Sequence, residues 1–390
     1  MNQKKFERKT KEMMPVLAIC YDFDKTLTPN DMQAQGYIQA IGYDTSDFWK
    51  ESNGIAANND MDQNLAYMFK MLQEAEGNFV FNKQTLYEYG KKVKLFPGVE
   101  GWFERIRAYG RSKGVIVEHY IISSGLKEMI EGTSVARAGA FERIYASSYY
   151  YNDRGVAIWP AQVVNYTNKT QFLFRIEKGV LDVNDPGIND HFQPNEIRVP
   201  FRNMIYIGDS DTDIPCMKLV NDNGGYSIGV YSHSTKDKTK VYKMMRDRRI
   251  NYFAEANYSE NTELDNLVKK IIDRTAANES LEEIHFGNYK EYLNADKATG
   301  EEKQQKTDLI ISLENSTSFA STHTIIGELD RFNDWSIPEK EALFEIAINN
   351  RQVNLILNDA DIKKFYKRLL SKEMLAKESV IKVCAMFEKD

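Results

Sequence analysis

The chain has 390 residues, with 51 Lys and Arg against 57 Asp and Glu, a formal net charge of -6. Apolar residues at 42% and charged residues at 28% are ordinary for a folded globular protein and exclude disorder as its main state. The length exceeds the roughly 250 to 300 residues one core usually organises, so at least two domains are expected, and the negative balance disfavours broad binding to nucleic acid or anionic membranes.

In chain order, Met1 to Met14 is polar and basic, carries no apolar core of a signal peptide and is expected to fray. Val16 to Tyr21 is a continuous apolar run, which predicts a buried strand, and Asp22-Phe23-Asp24-Lys25-Thr26 follows it at once. Residues 29 to 95 read as a helical insert, with Ser46 as N-cap before Phe48-Trp49 and an apolar face through Leu65, Met68, Phe69 and Leu72. Phe96-Pro97-Gly98 punctuates the return to alternating elements. Val99 to Gly110 is an expected helix, Val115 to Ile122 a second strand, Met204 to Ile207 a third and Tyr226 to Tyr231 a fourth. Asp209 to Asp213 forms a polar turn before a helix over Thr212 to Val220. Strands alternating with helices up to about residue 275 predict an α/β, doubly wound, mostly parallel sheet. The helical insert after the first strand would hang over the carboxyl end of that sheet.

A third region begins near residue 276. Glu291 to Lys306 reads as a linker or solvated helix. Beyond it, Ser336-Ile337-Pro338-Glu339 has capping-box spacing, and Ile362, Phe365, Tyr366, Leu369 and Leu370 follow the helical period. The expected organisation is a core of 1–28 and 96–275, a helical cap of 29–95 and a mostly helical C-terminal domain of 276–390.

Two carboxylates at a strand end suggest chemistry. Asp22 can attack phosphorus, and Asp24, two positions on, points the same way along an extended chain and can handle the leaving-group proton. Transfer of a phosphoryl group also needs positive charge, for which Mg²⁺ with oxygen ligands is the natural source. Gly208-Asp209-Ser210-Asp211-Thr212-Asp213 offers Asp209 to complete a metal site with Asp22.

On these residues the chain resembles the haloacid dehalogenase superfamily, in its phosphatase branch with a phosphoserine-phosphatase-like layout. Asp22 to Thr26 matches the family's first motif, which implies Asp22 as nucleophile and Asp24 as general acid/base. Ile121-Ile122-Ser123-Ser124-Gly125 matches the second, which implies that Ser123 bonds the transferring group and that Ser124 and Gly125 bind substrate with it. Lys169, in Asn168-Lys169-Thr170, matches the third, a lysine that neutralises nucleophile and phosphate, with Lys178 as the alternative. Gly208 to Asp213 matches the fourth, implying Asp209 and the backbone carbonyl of Asp24 as metal ligands with Asp22, and Asp213 as their support. The resemblance covers roughly residues 15 to 235.

The reading is a Mg²⁺-dependent hydrolase of a small phosphorylated metabolite, acting through an aspartyl-phosphate. Two alternatives stand beside it: a regulatory protein that binds a partner through residues 276 to 390, or self-associates there, and a phosphotransferase or phosphomutase on the same core. Two features depart from the family pattern. Residues 175 to 200 make a long excursion, read as a surface loop. Residues 29 to 95 contain no arginine, and lysine lacks the planar fork that suits a carboxylate, so phosphoserine is a poor substrate candidate. The insert offers Tyr37, Phe48, Trp49, Tyr67, Phe69 and Tyr87, read chiefly as packing residues. The basic run from Lys236 to Arg249 reads as a solvated helix face, and the five histidines show no metal-ligand spacing. Cys20, Cys216 and Cys384 are far apart and suggest no disulfide framework, and no apolar stretch reaches the roughly 18 residues that span a bilayer. A reducing cytoplasm is therefore the expected location.

Overall fold

The computed structural model describes residues 6–192, 196–293 and 301–387. Two compact units emerge, one of Met1–Ile188 with Arg198–Ala277 and one of Asn189–Ile197 with Asn278–Asp390.

The first unit is built on β1 (Val16–Tyr21), β2 (Ile116–Leu126), β3 (Arg143–Tyr151), β4 (Ala157–Gln162), β5 (Met204–Gly208), β6 (Tyr226–Tyr231) and β7 (Tyr252–Glu255). They form one sheet in the order β4-β3-β2-β1-β5-β6-β7. Every neighbouring pair is parallel except β3 with β4. The two faces of β1 separate by the period of an extended chain. Leu17, Ile19 and Tyr21 enter one apolar cluster, and Val16, Ala18 and Cys20 enter the other. Helix α5 (Val99–Ser112) buries Trp102, Phe103 and Ile106 in the first cluster, at the three- and four-residue spacing of an amphipathic helix. After the short α6 (Lys127–Gly132) and α7 (Ser134–Arg137), helices α8 (Thr170–Lys178), α9 (Ile214–Asp222) and α10 (Thr239–Arg246) bury Phe172, Met217 and Val241 in the second. Full burial of each such side chain stabilises by about 1.5 to 3 kcal/mol. His119 is a core residue, with Nδ1 3.0 Å from the Tyr21 hydroxyl and Nε2 3.2 Å from the Phe103 carbonyl. Burial lowers its pKa to about 3, so it is neutral.

Between β1 and α5 lie α1 (Tyr37–Ala40), α2 (Thr45–Asn58), α3 (Gln63–Ala75) and α4 (Lys83–Gly90). The sequence misassigns one cap and one face here. Asp44, not Ser46, is the N-cap of α2, and its carboxylate accepts from the Ser46 backbone N–H at 2.7 Å. Both residue types cap well, and the neighbour that starts earlier takes the role. On α3 the buried side includes Tyr67, Met68 and Met71, whereas Phe69 turns outward and is 48% exposed.

The N-terminal segment does not fray where it is described. Lys9 Nζ pairs with Glu118 at 2.6 Å and Glu142 at 2.7 Å. The Arg8 guanidinium pairs with Asp185 at 2.7 Å. Arg198 reaches both oxygens of Glu118 at 2.7 Å and takes Glu12 from its Nε at 3.0 Å. The excursion over 175 to 200 is accordingly not a plain loop, because buried Arg198 and buried Arg175 fasten its ends. Arg175 donates to the carbonyls of Asp182 and Val183 at 2.7 and 2.8 Å. Residues 193–195 lie outside the described residues.

The second unit is helical, with α11 (Glu263–Leu293) contributing its end, then α12 (Glu301–Glu314), α13 (Phe319–Leu329), α14 (Ile337–Asn349), α15 (Arg351–Ile356), α16 (Ala360–Leu369) and α17 (Glu378–Phe387). Ile310, Leu313, Ile325, Leu343, Phe344, Phe365 and Tyr366 are among its core residues. The capping box at Ser336 forms, with the Ser336 N–H donating to Glu339 Oε2 at 2.8 Å. Ile362, Phe365, Tyr366 and Leu369 are buried, while Leu370 ends the helix half-buried. Of the expected linker, 294–300 lie outside the described residues, and 291–293 and 301–306 belong to helices. Among the described residues no helix is long and apolar enough to cross a membrane.

Candidate active site

The chain leaves β1 toward β2 and β3 on one side and returns through β5 on the other, so the sheet order reverses between β1 and β5. Crevices at such switch points are where open α/β sheets bind ligands. Asp22 is the first residue after β1, and its N–H donates to the Ile207 carbonyl of β5 at 3.0 Å. The backbone then coils tightly, with Leu27 N–H bonding the Phe23 carbonyl at 2.9 Å and Lys25 held at φ 58. A left-handed lysine is strained, and strain of this kind gathers at functional sites. In this coil the Asp24 carboxylate meets the insert, where Oδ1 accepts the Met32 N–H at 2.7 Å.

Lys169 is wholly buried at the start of α8. Its Nζ lies 3.0 Å from Asp22 Oδ1 and 2.8 Å from Asp213 Oδ1. Burial alone would lower its pKa, but Asp213 and Asp22 more than reverse this and hold the lysine charged. Asp213 is fixed further by the Tyr206 hydroxyl at 2.9 Å on Oδ1 and by the Ser210 N–H at 3.3 Å on Oδ2. Tyr206 escaped the sequence reading because it sits inside the apolar strand run. Lys178, the alternative lysine, stands at the far end of α8 and donates to the Ile188 carbonyl at 2.8 Å.

One carboxylate oxygen each from Asp22, Asp209 and Asp213 falls within 4.8 Å of the others. The buried Lys169 is bonded to two of these acids, Asp22 and Asp213, and the third, Asp209, has no such partner, which leaves negative charge uncompensated. Burial raises the Asp22 carboxyl to about 6, Lys169 pulling it down and Asp213 pushing it up. It raises Asp209 to about 8, with Asp213 and Asp22 adding to the shift. An all-oxygen donor set with surplus negative charge fits a hard divalent cation. Among the described residues no side chain donates a hydrogen bond to Asp209, and its nearest cation is Lys240 Nζ at 4.0 Å. The Asp24 carboxylate does not belong to this trio. Burial, then Asp31 and Asp22, drive its pKa well above the ordinary carboxylate value.

Ser123, Ser124 and Gly125 extend β2 at the same end of the sheet, two to four positions beyond Ile121, the partner of Tyr21. Ser123 is buried, and its Oγ accepts the Gly125 N–H at 3.1 Å. Gly125 packs so closely that a Cβ there would stand 2.4 Å from Met32 Cε and 2.9 Å from Asp24 Oδ2. A side chain there would have to displace the Met32 methyl first and then the Asp24 carboxylate. Of the insert's aromatic residues, Tyr67 reaches this turn, its hydroxyl donating to the Ser124 carbonyl at 2.7 Å. Tyr37 instead bonds the Met71 carbonyl at 2.6 Å, and Phe48 is core. Gln33 is 2% exposed with its Oε1 unpartnered. The basic run is mostly solvated, but Lys240 and Lys243 face Asp209 and Asp211, each at 4.0 Å.

The sequence signature of the haloacid dehalogenase-like hydrolases matches residues 19–218. The chain belongs to that family. An uncharacterized protein of Borreliella burgdorferi is 28% identical over 284 residues, which cover 66% of this chain and 96% of that protein. Among solved structures, a family hydrolase from Salmonella enterica serovar Typhi is 18% identical with a TM-score of 0.44, over 67% of this chain and 73% of that one. An apo phosphoserine phosphatase is 12% identical with a TM-score of 0.40, over 61% and 92%. A cytosolic 5'-nucleotidase IIIB bound to cytidine is 14% identical with a TM-score of 0.39, over 66% and 86%.

Proposed function

We propose that the chain is a Mg²⁺-dependent phosphomonoesterase that forms an aspartyl-phosphate on Asp22, with residues 29–95 acting as a cap over the site. The observation that carries this reading is the buried Lys169, which bridges Asp22 and Asp213 beside Asp209 at the sheet's switch point. Asp22, Asp209 and the backbone carbonyl of Asp24 would hold the cation, with Asp213 oriented beside them by Lys169 and Tyr206. Bound there, Mg²⁺ would offset the charge of the attacking carboxylate and of the transferring oxygens.

The chain's own groups then divide the work. An oxygen of Asp22 attacks phosphorus while the bond from phosphorus to the alcohol oxygen breaks. Asp24, whose burial beside Asp31 and Asp22 raises its hold on a proton, would give that proton to the leaving oxygen. Lys169 and the Ser123 hydroxyl hold the phosphoryl oxygens. Asp24, now ionised, takes a proton from water as the water attacks phosphorus, which frees Asp22 and releases phosphate.

The cap narrows the substrate. Its buried lysine, Lys70, is already committed to Glu51 at 2.7 Å and Glu74 at 3.0 Å. With no arginine in 29–95, this weighs against a substrate held by its carboxylate. The test is phosphate release by the full chain from phosphorylated sugars, nucleotides, amino acids and cofactors, with and without Mg²⁺. Mg²⁺-dependent release from a compound without a carboxylate near the ester is expected. Absence of Mg²⁺-dependent release from every compound would overturn the proposal.

A further inference from the structure

The Ser124–Gly125 peptide lies between an insert residue and Ser123. Its carbonyl accepts the Tyr67 hydroxyl at 2.7 Å, and the N–H of the same peptide donates to Ser123 Oγ at 3.1 Å. A trans peptide is planar, with carbonyl and N–H pointing opposite ways. Whatever fixes the carbonyl therefore fixes the direction of the N–H, and accepting a hydrogen bond also polarises the peptide and strengthens its N–H as a donor. The pairing of β2 with β3 is irregular between Ser123 and Leu126, so no strand partner is in register with Ser124 or Gly125 to hold this plane. A side chain that reaches the carbonyl is thus a means of holding it.

Tyr67 is suited to that task. It is 4% exposed, and burial raises its pKa, so its hydroxyl remains a donor. The Trp49 ring stands edge-on against it, with centroids 5.8 Å apart. A second hydrogen bond joins α3 to the core but touches no peptide of the Ser123 turn: the Tyr149 hydroxyl donates to the Met68 carbonyl at 2.7 Å. Beside the bond from Asn64 to the Val164 carbonyl at 3.0 Å, the structure therefore holds two hydrogen bonds of 2.7 Å between α3 and the core, and one of these two leads to Ser123.

We infer that Tyr67 is a positioning residue that couples the seating of α3 to the orientation of the Ser123 hydroxyl, through the Ser124–Gly125 peptide. The inference rests on the proposed phosphoryl chemistry, because it gives Ser123 the task of holding the phosphoryl oxygens. With Tyr67 seated, the Gly125 N–H occupies one lone pair of Ser123 Oγ and directs its proton toward the phosphoryl oxygen. With Tyr67 withdrawn, the peptide turns and Ser123 loses its preferred direction.

The test is a double-mutant cycle of Tyr67→Phe and Ser123→Ala, with Tyr149→Phe as the control. Two readouts are used: hydrolysis of p-nitrophenyl phosphate with Mg²⁺, and the dissociation constant of inorganic phosphate measured by thermal shift. Tyr67→Phe should lower kcat/KM on the order of 10-fold, the scale of a misdirected contact group, and should weaken phosphate binding. In the Ser123→Ala background it should do neither. Tyr149→Phe should lower the melting temperature about as much as Tyr67→Phe while changing kcat/KM less than about 2-fold, as expected of a contact remote from the reacting group. Equal effects of Tyr67→Phe with and without Ser123 would overturn the coupling and leave the phosphatase reading intact. A wild-type chain that neither hydrolyses the ester nor binds phosphate would overturn both.

Discussion

Lys169 and Asp22, 147 residues apart in the chain, meet at 3.0 Å inside the protein, and the same ammonium holds Asp213 at 2.8 Å. One cation thus serves two buried carboxylates that would otherwise repel each other. The arrangement is costly to break on one side, because the partners left behind stay buried and charged or must take up protons.

Lys169→Met is accordingly expected to destabilise the fold by about 3 to 5 kcal/mol, read as a lower urea midpoint at an unchanged slope. Adding Asp213→Asn should return part of that loss by removing one stranded charge. If the single variant unfolds like the wild type, the bridge is not structural in the way its burial indicates.

The acids of the trio predict a pH-dependent response to metal. Burial raises Asp22 to about 6 and Asp209 to about 8, against an ordinary value of 3.8. Both carboxyls hold their protons more tightly folded than unfolded. Their contribution to stability is complete below the unfolded value and is lost as pH rises through about 6 and then about 8. A cation needs both acids ionised, so protons compete with it. Saturating Mg²⁺ should raise the melting temperature more at about pH 8.5 than at about pH 5.5. An equal or larger rise at the acidic pH would contradict the assignment of Asp22 and Asp209 as ligands.

Glu118 predicts the opposite sign. Burial alone would raise its pKa, but the paired Arg198 and then Lys9 outweigh this and hold it at about 2, below the ordinary 4.5. That stabilisation is present above about pH 4.5 and is lost as pH falls toward about 2. Removing residues 1 to 14 takes away Lys9 and Glu12 and should shift the acid-unfolding midpoint upward. Arg198→Met should shift it further and lower stability at neutral pH, since it removes the stronger of the two cationic partners of Glu118 and leaves Lys9. An acid transition unchanged in both variants would show that the N-terminal segment is not held by these pairs.

The parts legible in the sequence are those whose physics is local. β1, β5 and β6 are apolar runs because strands covered on both faces can be nothing else. Ser336 and Glu339 cap a helix within four residues of each other. β3 and β4 were not legible: Arg143–Tyr151 mixes Tyr with Ser, and Ala157–Gln162 is an edge strand with Pro160 in it and Trp159 70% exposed. β7 is only four residues long. In the candidate site, Asp22, Asp24 and Asp209 stood out by residue type and order, whereas Lys169 followed only from the family resemblance, with Lys178 as the alternative. Tyr206, Tyr67 and Arg198 did not stand out, because each gains its meaning from a partner outside its own segment: Asp213, the Ser124 carbonyl and Glu118.

Trapping the phosphorylated form of Asp22 is the most direct test of its role as nucleophile. The full chain is mixed with Mg²⁺ and its best phosphorylated substrate, quenched in acid within the first turnover, digested and analysed by mass spectrometry. The account predicts one phosphoryl group on the peptide that carries Asp22, greater accumulation in Asp24→Asn, and none in Asp22→Asn, which should fold normally and release no phosphate. Continued hydrolysis by Asp22→Asn, or a phosphoryl group found on another residue, would contradict it.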